Sequence, residues 1–139
     1  MLVLDTHVWV WSVDGDTRRI GRRSRQMLQR AESRAAIRVS PMTIFELAAL
    51  HSLGRVRLAR SIDQWVRDAL DTVGVRLAEL TPAIALDAGA IPRSALADPL
   101  DRLLVATARS LDAVFLTSDR RILDYASATG NLRVHDAGS

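Results

Sequence analysis

Short apolar runs alternate with longer segments of helical period along this chain of 139 residues. Leu2 to Leu4 is apolar at every position, as a strand covered on both faces must be, and it runs straight into Asp5. The stretch THVWVWSV reads as a short helix, DGD as a turn, and Ile20 to Ala35 as an arginine-rich amphipathic helix. AIRVS is a second short strand. In SPMTIFELAALHSLG, Ser40 is the expected N-cap, Pro41 suits the first helical position and Gly54 ends the helix. SIDQWVRDALDTVG repeats the pattern, with Ile62, Trp65, Val66 and Leu70 on one face. VRLAEL predicts a third strand, TPAIALDAGAI a helix opened by Thr81 and Pro82, and DPLDRLLVATARSLD a further helix. AVFLT is the fourth strand, RRILDYA a short helix, and a last strand lies near LRVH.

Strands that alternate with helices imply parallel βαβ units, and so a three-layer α/β/α sandwich around a mainly parallel sheet. The chain shows no internal repeat, low-complexity tract or linker, which predicts a single domain over residues 1–139. Open sheets of this class bind ligands beyond the carboxyl ends of their strands, where the strand order reverses. Asp5 follows the first strand and Asp119 the fourth. If those strands are neighbours, both carboxylates face one crevice.

Composition narrows the chemistry. Hydrophobic content of 48% and charged content of 25% describe an ordinary globular protein, and no segment has the apolar length of a membrane helix. A strand-like run from Leu2 without a basic leader points to the cytoplasm. With no cysteine, disulfides, thiolate catalysis and cysteine-based zinc sites are excluded. The net charge is a modest +3, and all 19 basic residues other than histidine are arginine. Coding bias in a GC-rich genome accounts for that, although arginine also suits phosphate recognition. The absence of lysine excludes a phosphoacceptor receiver of similar architecture, which needs one. His7, His51 and His135 lack metal-ligand spacing, and Trp9, Trp11 and Trp65 lack the basic–aromatic alternation of a platform for single strands.

The acids are harder to place. Asp5 and Asp119 each stand where a strand hands over to a helix, and either could simply be a helix cap. In DPLD, Asp98 suits an N-cap, Pro99 the first helical position, and Asp101 the first turn, where the helix dipole favours an acid. Glu46 is surrounded by Phe45, Leu47, Ala48 and Ala49, an apolar setting that calls for a partner or an edge position. A parallel sheet can gather all of them on one edge. Two carboxylates about 4 Å apart repel by roughly 4 kcal/mol at an effective dielectric of 20. Such a cluster is tenable with protons or a divalent cation among the acids, and oxygen-only ligands suit magnesium or manganese.

LVLDTHVWVW, SPMTIFELAAL, DPLDRLLVATA and FLTSDRR, in that order, resemble the PIN-domain ribonucleases, and most closely the VapC toxins of type II toxin–antitoxin pairs. The likeness runs from Leu2 to about Tyr125. It implies a five-stranded sheet ordered 3-2-1-4-5 and an acidic quartet that binds Mg2+ or Mn2+ and cuts RNA. Matched position by position, the quartet is Asp5, Glu46, Asp101 and Asp119, with Asp98, Thr6 and Thr117 in support. Relatives often carry His-Gly before the Asp-Pro, where this chain has SALADP, so no auxiliary histidine is expected there. The implied partners are RNA and a cognate antitoxin protein, and a homodimer is expected. The arginine-rich segment 18–38 would contact RNA or antitoxin, or else be a solvated helix face. Trp9, Trp11, Phe45 and Leu50 would hold a hydrophobic segment of the antitoxin. The alternative is a catalytically inactive scaffold that binds RNA or protein through the same groove.

Overall fold

The computed structural model describes residues 1–139. Twelve elements follow one another: β1 (Leu2–Leu4), α1 (Thr6–Asp14), α2 (Arg22–Ser33), β2 (Ile37–Val39), α3 (Pro41–Ser52), α4 (Ile62–Leu70), β3 (Val75–Leu77), α5 (Pro82–Ala90), α6 (Pro99–Ser110), β4 (Val114–Thr117), α7 (Arg120–Thr129) and β5 (Val134–Asp136). The sheet is ordered β3-β2-β1-β4-β5. Every neighbouring pair of strands is parallel, so the expected "mainly parallel" sheet is wholly so.

Alternation along the strands divides the core between the two faces of the sheet. Leu2 and Leu4 of β1 point into a cluster with Val8, Trp9, Ile37, Val39, Leu47 and Trp65, which α1, α3 and α4 help to build. Val3, between them, points into a second cluster with Phe115 of β4, Leu104, Val105 and Ala108 of α6, and Ile122 and Tyr125 of α7. The register Val3↔Phe115 and Leu4↔Leu116 keeps the faces matched across β1 and β4.

Two joints fix the helices that carry the acids. Trp9 and Trp65, both 0% exposed, meet edge to face with ring centroids 5.0 Å apart. The Trp65 indole N–H donates to Asp14 Oδ1 at 3.0 Å, which ties α4 to the far end of α1. On the other face α6 is buried continuously from Leu104 to Ala108, enclosed by the sheet and by Ile84 and Ala88 of α5. Arg109 of α6 pairs with Asp87 of α5 at 2.5 Å and donates to the Tyr125 hydroxyl of α7 at 3.2 Å.

The caps read from the sequence are present at Ser40, Ser61, Thr81, Asp98 and Asp119, each accepting from a backbone N–H of the first turn. Several boundaries differ from expectation by one to three residues, and three of them have a visible cause. The helix predicted from Ile20 begins at Arg22, because the Gly21 N–H donates to Ala137 O at 2.8 Å and Gly21 stays extended as the N-cap. A Cβ on Gly21 would lie 2.2 Å from the carbonyl carbon of Ser139, so only glycine lets the two segments approach. The last helix continues beyond Ala126 to Thr129, where Gly130 takes a left-handed conformation. The third strand stops at Leu77 rather than Leu80, since β3 is an edge strand with β2 alone to pair with.

Candidate functional site

Strand order reverses between β1 and β4, and the loops that leave those two strands carry Asp5 and Asp119. Beyond them lies a crevice of about 390 Å³, lined by Asp5, His7, Val8, Trp11, Glu46, Asp98, Asp101, Ser118, Asp119 and Arg121. The structure thus brings together all four acids of the expected quartet, with Asp98 beside them. Five carboxylates face one space that holds a single guanidinium.

Asp5 continues the ladder of β1, its N–H donating to Leu116 O at 3.0 Å, and then caps α1. Its Oδ1 accepts the Thr6 N–H at 2.8 Å and its Oδ2 accepts the Thr117 hydroxyl at 2.5 Å. Thr117 Oγ1 in turn accepts the Asp119 N–H at 3.0 Å, so its one proton is committed to Asp5. Burial pushes the Asp5 carboxyl above its ordinary value; the bonds from Thr117 and Thr6 oppose this, and the charge of Asp119 adds to it.

Glu46 lies on the second turn of α3, where the buried Thr6 hydroxyl donates to its Oε2 at 3.1 Å. Burial raises its carboxyl, and the charge of Asp5 raises it further. Asp98 caps α6 by accepting the Leu100 N–H at 2.9 Å. Asp101, one turn on, is 6% exposed, and its Oδ2 is buried without a hydrogen-bond partner. Burial, followed by the charges of Asp98, Asp5 and Asp119, pushes the Asp101 carboxyl up to about 7.

Asp119 behaves in the opposite way. Burial works to raise it, but the side chain and backbone of Arg121 and the N–H of Ile122 outweigh that and hold it below its ordinary value. Arg121 Nη2 lies 3.0 Å from Asp119 Oδ2, and Nε lies 3.3 Å from Oδ1.

No three of these acids converge on a single ion position in this arrangement. Asp5 is engaged by Thr117, Glu46 by Thr6 and Asp119 by Arg121. The chemistry of the donors nevertheless fits a hard divalent cation. All are oxygens, neighbouring charges raise Asp5, Glu46 and Asp101, and a buried carboxylate oxygen without a donor such as Asp101 Oδ2 is costly unless a proton or a cation meets it.

Several expectations fall elsewhere. His51 and His135 do not line the crevice, whereas His7 does, beside Asp5 and Glu46. Trp9 is fully buried in the core and offers nothing to a partner; Phe45, at 60% exposed, remains available. In the arginine-rich segment, Arg25 donates to the carbonyls of Thr17 and Ile20, and Arg38 to those of Ala35 and Ile37, so both brace the backbone. Sequence reasoning did not single out Arg121. Its place two residues after a capping acid, on the first turn of a helix, was the available signal.

The family model for the PIN domain matches residues 2–128. The chain belongs to the PIN-domain family. This PIN domain is 33% identical over 121 residues to ribonuclease VapC22 of Mycobacterium tuberculosis, covering 87% of this chain and 88% of that one. Its fold is similar to a solved structure of VapBC2 from Rickettsia felis bound to a promoter DNA fragment, with a TM-score of 0.66, 14% identity and 96% of each chain covered. It is also similar to DNA-bound VapBC from Salmonella typhimurium, with a TM-score of 0.64, 18% identity, and 97% of this chain and 96% of that one covered. Those two likenesses speak to the fold.

Proposed function

We propose that this PIN domain is an endoribonuclease that depends on Mg2+ or Mn2+ and acts as the toxin of a toxin–antitoxin pair. The observation that carries the reading is the gathering of Asp5, Glu46, Asp98, Asp101 and Asp119 around one crevice at the switch point of the sheet. The ribonuclease relative supports the reaction class, and the VapBC neighbours support a protein partner.

In this reading Asp5, Glu46, Asp101 and Asp119 hold the cation, while Asp98 fixes the start of α6. A bound divalent cation supplies a water of lowered pKa and neutralises charge that builds on a phosphoryl group. The chain does the rest. Thr117 and Thr6 fix the carboxylates of Asp5 and Glu46 by donating to one oxygen of each.

The test is cleavage of single-stranded RNA by purified protein with Mg2+, with Mn2+ and with chelator. Cleavage that needs the cation and is lost in Asp5→Asn, Glu46→Gln, Asp101→Asn and Asp119→Asn supports the assignment. Wild-type rates in two or more of those variants would overturn the four-acid site. Arrest of growth on induced expression, absent with Asp5→Asn, tests the toxin role.

A further inference from the structure

Arg121 is the one arginine that lines the acidic crevice, and its side chain is 71% exposed. It sits on the first turn of α7 and engages both oxygens of Asp119. The charges of Asp101 and Asp98 act on it as well. It therefore offsets part of the negative charge of five carboxylates and occupies a ligand that a metal would need. An RNA backbone entering the crevice faces the converse difficulty, since an anion must approach a cluster of acids.

We propose that Arg121 is an exchangeable arm. It neutralises Asp119 until a divalent cation takes that carboxylate, and then binds a phosphate oxygen of the RNA backbone beside the bond that is cut. The inference rests on the reading of the acids as a cation site in a ribonuclease. Three features carry it. The Arg121 end of the ion pair is exposed, its side chain at 71% against 24% for Asp119, and a pair with one partner in solvent shifts an equilibrium by roughly fivefold, so a divalent cation can displace it. The planar guanidinium fork matches carboxylate and phosphate equally well, so one group can serve both partners without rebuilding the site. Finally, the arm pivots from a helix whose start is fixed by Asp119 itself and whose inner face is buried through Ile122 and Tyr125. Release of the guanidinium moves the side chain and leaves the backbone in place.

The metal arm of the test is calorimetric titration of manganese chloride into wild type, Arg121→Gln, Arg121→Lys and, as a control, Arg120→Gln. Arg120 is exposed, adjacent in sequence and outside the crevice. Arg121→Gln should bind manganese about three- to fivefold more tightly. Arg121→Lys, which keeps the charge, should fall between it and wild type, and Arg120→Gln should match wild type. The RNA arm is fluorescence anisotropy with a labelled 2′-O-methyl oligoribonucleotide, checked on a gel to be intact, with manganese present, over a range of salt. Arg121→Gln should bind more weakly, with a salt slope shallower by about 0.7, the loss of one phosphate contact to a single strand. Unchanged manganese affinity in Arg121→Gln overturns the exchange, and an unchanged salt slope overturns the phosphate contact. If neither wild type nor Arg121→Gln binds manganese, the cation reading beneath the inference fails instead. Should Arg121→Gln melt well below wild type, the same comparisons are read from Arg121→Met, which keeps the apolar stem and removes the charge.

Discussion

Thr117 donates its hydroxyl to Asp5 Oδ2 at 2.5 Å, and both groups lie within the buried junction of β1 and β4. Thr117→Val keeps the shape and removes the donor, leaving a buried carboxylate oxygen without a partner. We expect a loss of about 1–3 kcal/mol in urea unfolding and an RNA cleavage rate lowered by about tenfold, equal to 1.4 kcal/mol of lost positioning. Thr117→Ser should recover most of both. A valine variant that unfolds and cuts like wild type would show that the hydroxyl is dispensable.

Asp101 predicts how stability depends on pH. Its carboxyl is raised from an ordinary 3.8 to about 7. Between those values the folded chain holds a proton that the unfolded chain has lost. Stability from this group is therefore full below about pH 4 and declines as pH rises, until the decline is complete above about pH 7. Asp5 and Glu46, both raised, act in the same direction. Asp101→Asn should remove most of the decline and, in metal-free buffer at pH 8, exceed wild type by up to about 4 kcal/mol. Urea unfolding at pH 5 and pH 8 measures this, and equal pH dependence in the two proteins would contradict it.

Asp98 and Asp101 should separate cleanly. Asp98→Ala removes the cap on Leu100 N–H and should cost about 1 kcal/mol of stability, with partial loss of cleavage. Asp101→Ala should abolish cleavage. The reverse ranking of activities would move the ligand to Asp98.

We expect a basic side chain of a protein partner to sit between Asp5 and Asp119, the two acids that leave adjacent strands, in place of Arg121. Partner and manganese should then compete. Titration of manganese into the complex should weaken partner binding, and Asp5→Asn should remove that sensitivity. An affinity flat across the metal range would mean that the partner covers the crevice without touching the acids.

Most of the fold was legible because period and capping agreed. Ser40-Pro41, Thr81-Pro82 and Asp98-Pro99 each mark a helix start by chemistry that tertiary context does not override. The boundaries that shifted were set by contacts distant in sequence: Gly21 against Ala137 begins α2 late, and the edge position of β3 ends it early. For the site, an acid at a strand end put Asp5 and Asp119 at the sheet edge where ligands bind, although each could equally have been a helix cap. Glu46 and Asp101 owed their assignment to the family resemblance, since each also had an ordinary helical explanation. Arg121 was not legible as a crevice residue, because a basic residue on a first turn looks alike whether it meets solvent or a neighbouring acid.

Asp5, Asp98 and Asp119 each begin a helix as well as facing the crevice. Replacements at these three positions therefore differ sharply in kind. Asparagine preserves the start of the helix while discharging the group; alanine or valine also frays the first turn. Genetic screens for harmless variants will consequently mix unfolded chains with folded but inactive ones at these positions. Glu46→Gln and Asp101→Asn lie inside helices and keep every cap, which makes them the better source of intact, inactive protein for trapping RNA on the surface.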